Sequence, residues 1–156
     1  MEDVTDAGIY AQESTYLDRH VQLGVASGRV LSVSFPDVPD DEAEGEHPIL
    51  DLIFAYLDGI DPVTFEDVQV ALTVPTDRRA VLEQVQQIPY GDQVDVDTLA
   101  RMTPALDHED EDDVITVRTA LDENPAPLVI PDHRVRDGPS AAPPPVEQKL
   151  RSLEEL

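Results

Sequence analysis

The chain has 156 residues, and 34 Asp and Glu against 10 Lys and Arg leave a formal charge of −24 at pH 7. A hydrophobic fraction of 40% is enough to bury a core in one ordinary domain or two small ones, which excludes wholesale disorder. With no cysteine there is no disulfide framework, thiolate zinc site or thiol nucleophile, and neither a signal-like start at Met1 to Asp6 nor an apolar run near the ~20 residues of a membrane span is present.

In chain order, Tyr16 to Phe35 reads as a β-hairpin. Val21, Leu23 and Val25 alternate with polar residues, Ser27-Gly28 turns, and Val30, Leu31, Val33 and Phe35 are expected in the core. Pro36 to His47, with six carboxylates, reads as a solvated connector. Pro48 opens a helix with Ile49, Leu52, Ile53, Tyr56 and Leu57 at helical spacing, and Gly59 stops it. Phe65 to Val74 alternates as a further strand, and a domain boundary is expected near residue 75. Thr76 is the expected N-cap of a helix that buries Val81, Leu82, Val85 and Ile88. Pro89-Tyr90-Gly91-Asp92 is a turn, Asp95 caps a short helix carrying Leu99, Ala100 and Met102, and the acidic run Asp107 to Asp113 leads into a helix burying Val114, Val117, Ala120 and Leu121. Asn124-Pro125-Ala126-Pro127 bends the chain into a short buried strand, Leu128 to Ile130. A Pro-rich loop, Gly138 to Pro145, precedes a last helix with Val146, Leu150 and Leu153 inward. The expected class is α+β: a small sheet domain over residues 1–74, then a mostly helical module over residues 75–156.

The series Ile88-Pro89-Tyr90-Gly91, Leu99-Ala100 and Asn124-Pro125-Ala126-Pro127-Leu128-Val129-Ile130-Pro131-Asp132-His133-Arg134-Val135 resembles the methylated-DNA–protein-cysteine methyltransferases, the O6-alkylguanine-DNA alkyltransferases. The resemblance is close over residues 75–156 and weak before them. It implies a ribonuclease-H-like N-terminal domain and a winged-helix-like C-terminal domain that enters the minor groove of double-stranded DNA and flips an alkylated guanine into a pocket. In that family a cysteine between Pro and His-Arg-Val takes the alkyl group irreversibly, with no cofactor. Here the position is Asp132. A carboxylate is a poor nucleophile towards a methyl carbon and its product would be a labile ester, so suicide alkyl transfer is expected to be absent.

Other positions depart from the family as well. The tyrosine that contacts DNA at the start of the second helix is Val96, the arginine that fills the gap left by the flipped base is Ile115, and the Gly- and Ser-rich loop bearing a tyrosine is replaced by Asp137 to Pro145. Asn124, which in the family ties the recognition helix to the active-site strand, is kept with Pro131, His133, Arg134 and Val135, and the carboxylate that orients the histidine corresponds to Glu154 or Glu155. The candidate site is therefore Asp132 and His133 at the catalytic positions and Val96, Ile115, Asn124 and Arg134 at the DNA- and base-binding ones, with no metal.

These residues leave three functions open. The first is a catalytically degenerate alkyltransferase homologue that binds DNA or alkylated guanine without transfer. The second is a non-DNA interaction or scaffold protein on the same fold, and the third an enzyme using Asp132 and His133 as an acid/base pair. A single lysine (Lys149) and an excess of Asp over Glu, 21 to 13, suit a protein that stays hydrated in concentrated salt or, as the alternative, an acidic binding module; the absence of cysteine favours a cytoplasmic location, and a monomer is expected. In molar salt the screening length falls to about 3 Å, so charge alone does not exclude DNA.

Overall fold

The computed structural model describes residues 7–156, so the acidic start Met1 to Asp6 lies outside the described residues. The chain is α+β and divides into two compact units, Met1–Ala71 and Leu72–Leu156.

The first unit is an antiparallel meander, β1 (Ala7–Ser14), β2 (Arg19–Ala26) and β3 (Arg29–Ser34), with helix α1 (Pro48–Asp58) against β1. Val21, Leu23 and Val25 point inward as their alternation requires, and Ser27 and Gly28 take the positive φ values of 54° and 76° that a tight hairpin turn needs. β1 was not anticipated, because its unbroken Ile9-Tyr10-Ala11 run has no period of two. Leu31 is not core; it is 44% exposed, whereas Val30 and Val33 are buried. The reason is a β-bulge: Gly24 pairs with Ser32 but Val25 pairs with Val30, so Leu31 is an inserted residue turned outward.

The acidic loop is more than a connector. Glu44 N–H donates to the Ile9 carbonyl (2.9 Å) and Ala11 N–H to the Glu44 carbonyl (2.8 Å), so the loop covers the free edge of β1. Its end caps α1, where His47 Nδ1 accepts from Ile49 N–H at 3.1 Å. Leu50, Ile53, Tyr56 and Leu57 form the buried face of α1; Ile49 and Leu52 are only half-buried. Each fully buried side chain of this kind contributes roughly 1.5–3 kcal/mol of transfer free energy. Phe65 to Val74 is not a strand. Glu66 and Asp67 stand in a turn closed by Val68 N–H on the Phe65 carbonyl, and the segment meets β3 only at one bridge between Val30 and Val70.

In the second unit α2 (Thr76–Val85), α3 (Val96–Met102) and α4 (Glu111–Asp122) pack on one another, and α5 (Pro144–Leu153) lies against a single 3₁₀ turn, Asp132–Arg134. Val81, Leu82, Val85 and Ile88 are buried as expected, but the N-cap of α2 is Pro75, and Thr76 is already helical. Asp95 does cap α3, its Oδ1 accepting from Thr98 N–H at 2.8 Å, and Asp110 caps α4 by accepting from Asp112 N–H at 2.9 Å. Met102 and Val114 are only half-buried. Leu128 to Ile130 is buried but is not a strand, because Leu128 takes φ 79°, which turns the chain instead of extending it. The unit has isolated bridges between Pro127 and Ile130 and between Val94 and Val135, the latter with Val94 N–H on the Arg134 carbonyl and Arg136 N–H on the Val94 carbonyl, both at 2.9 Å. Two of the prolines expected in the loop, Pro144 and Pro145, are the first helical residues of α5, where a missing N–H costs nothing.

Candidate functional site

The turn that follows Ile130 places three consecutive buried polar residues, Asp132, His133 and Arg134, at the centre of the second unit. Asn124, just past α4, fastens that turn. Its Oδ1 accepts from Ala126 N–H (3.0 Å), while its Nδ2 donates to the Ile130 carbonyl (2.9 Å) and to Asp132 Oδ2 (3.0 Å). A side chain that uses both ends of its amide in this way sets the path of the segment between them.

Asp132 has no solvent exposure. Beyond Asn124, its Oδ2 accepts from Ala141 N–H at 2.9 Å and its Oδ1 from the Ser140 hydroxyl at 2.6 Å, while Ser140 Oγ accepts from Ala142 N–H at 3.1 Å. Residues 138–142 thus form a short strap over the carboxylate. Gly138 anchors the strap. A β-carbon there would meet Leu121 Cδ1 at 2.7 Å, Val96 Cγ2 at 3.1 Å and Val135 Cγ1 at 3.2 Å. Burial pushes the Asp132 carboxyl above its ordinary value, and the bonds from Ser140, Ala141 and Asn124 together with the neighbouring His133 offset only part of that.

His133 and Arg134 turn the other way, to Glu154 at the end of α5. Glu154 Oε2 is 2.6 Å from His133 Nε2, and because a carboxylate only accepts, this fixes the proton on Nε2. Arg134 grips the same carboxylate twice, Nε to Oε1 at 2.8 Å and Nη2 to Oε2 at 3.1 Å, and its Nη1 donates to the Ile88 carbonyl at 2.7 Å. Gly91 N–H completes the set on Oε1 at 2.9 Å. The Tyr90 ring lies 5.7 Å below the guanidinium, and Arg151 Nη1 holds the His133 carbonyl at 2.9 Å. Burial alone would raise the Glu154 carboxyl; the bonds from His133 and Arg134, the charge on His133 and the Gly91 N–H outweigh it and hold it at about 2.

The structure therefore gathers Asn124, Asp132, His133 and Arg134 and selects Glu154 over the exposed Glu155 as the carboxylate on the histidine. Asp132 and His133 are adjacent in sequence but hydrogen-bond to different partners, and Arg134 pairs with Glu154 instead of Asp132. Val96 is buried in the core beneath Gly138, its N–H donating to Asp137 Oδ1 at 2.7 Å, whereas Ile115 is 59% exposed on α4. Ser140, Ala141, Arg151 and Gly91 were missed; they contribute largely through backbone groups and long-range contacts, for which the sequence carries no local signal. Among the described residues no group of three or more His, Asp and Glu is placed to hold a metal ion.

The family model for the DNA-binding domain of 6-O-methylguanine DNA methyltransferase matches residues 76–151. The second unit, over those residues, belongs to that family. No curated protein sequence matches the chain. Solved methyltransferase structures share its fold at low identity. The M. tuberculosis O6-methylguanine methyltransferase is 18% identical with a TM-score of 0.72, over 96% of this chain and 92% of that one. The M. tuberculosis OGT solved in complex with DNA is 19% identical with a TM-score of 0.70, over 96% and 91%. The O6-methylguanine-DNA methyltransferase of the hyperthermophilic archaeon Pyrococcus kodakaraensis is 16% identical with a TM-score of 0.64, over 97% and 100%. All three align along almost the whole chain, so the sheet unit of this methyltransferase homologue belongs to the shared fold as much as the helical unit does.

Proposed function

We propose that this homologue is a catalytically degenerate alkyltransferase that binds double-stranded DNA carrying alkylated guanine without accepting the alkyl group. The observation that carries the reading is the state of position 132. A carboxylate stands there with no exposure, and its oxygens are already committed to three donors, while the Asn124 tie and the His133–Glu154 pair around it are complete. A nucleophile needs a lone pair free to meet the carbon in line. Asp132 is sealed from solvent, with three of its roughly four lone-pair sites directed at Ser140, Ala141 and Asn124, and it is intrinsically weak towards an sp³ carbon. DNA binding rests on the family to which residues 76–151 belong and on the relative solved with DNA.

A scaffold role without DNA is favoured by one feature of α4. Its cap and first turn are Asp110, Glu111, Asp112 and Asp113, and its one cation, Arg118, donates to the Asp137 carbonyl. One experiment separates the readings: incubate the protein in molar KCl with a duplex containing O6-methylguanine, and measure intact protein mass and duplex binding together. The expected result is lesion-dependent binding with unchanged mass. A mass gain of one methyl group overturns the degenerate-enzyme reading, and absence of binding at every salt concentration leaves the scaffold.

A further inference from the structure

The sheet of the first unit carries a cleft of about 580 Å³ whose chemistry neither the family nor the site above explains. Ile9 opposes Gly24 across the β1–β2 pair, and the β-bulge turns Leu31 out beside them. Gly24 places no side chain between Ile9 and Leu31, and the Ser32 hydroxyl leans over it, 2.8 Å from where a β-carbon would lie. Glu42 and Glu44 line the same cleft. Both are held in place by backbone bonds, Glu42 N–H to Asp40 Oδ1 at 2.9 Å and Glu44 through its two bonds to β1, and among the described residues neither forms an ion pair.

Apolar walls with unneutralised carboxylates at the edge suit one kind of side chain: a long aliphatic stem that ends in a cation. We propose that this cleft docks an extended, arginine- or lysine-bearing segment of a partner protein, with the stems against Ile9, Gly24 and Leu31 and the charged heads at Glu42 and Glu44. The volume exceeds what one such side chain fills, so the occupant spans a few residues. A second copy of this chain is disfavoured as the occupant, because each copy carries a formal −24 and the unit that holds the cleft has 2 − 16 = −14 of it. A cationic partner is also the one that the field of this unit steers inward. The bulge supports the assignment: one inserted residue turns Leu31 out to the Gly24 face of the sheet while Val30 and Val33 keep their places in the core.

The test is a backbone amide NMR titration of the full chain, in about 0.5 M KCl so that diffuse attraction is screened to a few Å, with the peptide acetyl-Ala-Arg-Leu-Arg-Ala-amide. Its controls are the same peptide with citrulline for arginine, and free spermidine. The expected result is a saturable shift centred on Ile9, Gly24 and Leu31. Exposed pairs are worth up to about 1 kcal/mol each, so the E42Q/E44Q variant should weaken binding roughly tenfold, and L31S should weaken it several-fold. All of these positions are exposed or half-buried, so the variants keep the wild-type melting curve. Shifts spread equally over the acidic run 107–113, unchanged binding in E42Q/E44Q, equal binding of the citrulline peptide, spermidine binding as tightly as the peptide, or no saturable shift each overturn the proposal.

Discussion

Replacing Glu154 by Gln keeps the shape of the side chain at the hub of the site and removes its charge. Two routes give the size of the effect. The carboxyl falls from an ordinary 4.5 to about 2 in the folded protein, and at 1.36 kcal/mol per pH unit that difference is about 3 kcal/mol of folding free energy. Independently, Arg134 and His133 are buried at 7% and 0% exposure, and removing one partner of such a buried pair costs about 3–5 kcal/mol. The second unit has 156 − 71 = 85 residues, and domains of that size lose at least roughly 4 °C of Tm per kcal/mol, so E154Q should melt about 12 °C or more below wild type at pH 7. The sign of the pH dependence follows from the depressed folded value: Glu154 contributes fully above the unfolded 4.5, and the contribution is lost as pH falls through about 2. The gap between wild type and E154Q should therefore shrink by about half at pH 3. Because the pair is buried, molar KCl should leave the gap at pH 7 nearly intact. Circular dichroism melts of wild type, E154Q and the exposed neighbour E155Q read all of this. An E154Q melt within about 3 °C of E155Q at pH 7, or a gap that does not narrow in acid, refutes the reasoning.

Two further outcomes follow from the strap over Asp132. Gly138→Ala forces a β-carbon to 2.7 Å from Leu121 and should cost about 1–3 kcal/mol in chemical denaturation, with amide exchange at Ala141 and Ala142 accelerated; a neutral effect would mean the strap is not packed as described. Asp132→Ala and Ser140→Ala should be strongly non-additive, with a coupling energy of about 1 kcal/mol or more in a double-mutant cycle, because each removes one partner of the same hydrogen bond; additive losses would break the assignment of that bond.

Periodicity was a good guide wherever one face of one element decides burial. Val21, Leu23 and Val25, the Val81-Leu82-Val85-Ile88 face and Val117-Ala120-Leu121 all lie inward, and Asp95 caps its helix. It failed where a tertiary detail decides. One inserted residue puts Leu31 outside a strand that otherwise alternates, and a positive φ at Leu128 turns a segment whose composition is that of a strand. Phe65 to Val74 alternates but finds only one bridge on β3, so its pattern has no sheet to join. In the candidate site Asn124, His133 and Arg134 stood out because they are side chains in a spaced motif. Glu154 and Glu155 could not be told apart by spacing, since adjacent residues at the end of α5 differ only in the direction they face.

Two carboxylates of one buried site are displaced in opposite directions, Asp132 upward and Glu154 downward. Their partners account for the difference. Glu154 has a bidentate guanidinium and an imidazole, which supply charge to meet charge, whereas Asp132 is met chiefly by three uncharged donors. With Arg134 and His133 already spent on Glu154, a second buried acid in this interior needs hydrogen-bond partners of its own. That is what the short strap from Gly138 to Ala142 does, with one hydroxyl and one backbone N–H on a single carboxylate. Asp132 and the loop from Gly138 to Ala142 are thus one unit: the buried acid demands donors, and the loop that closes over it supplies them.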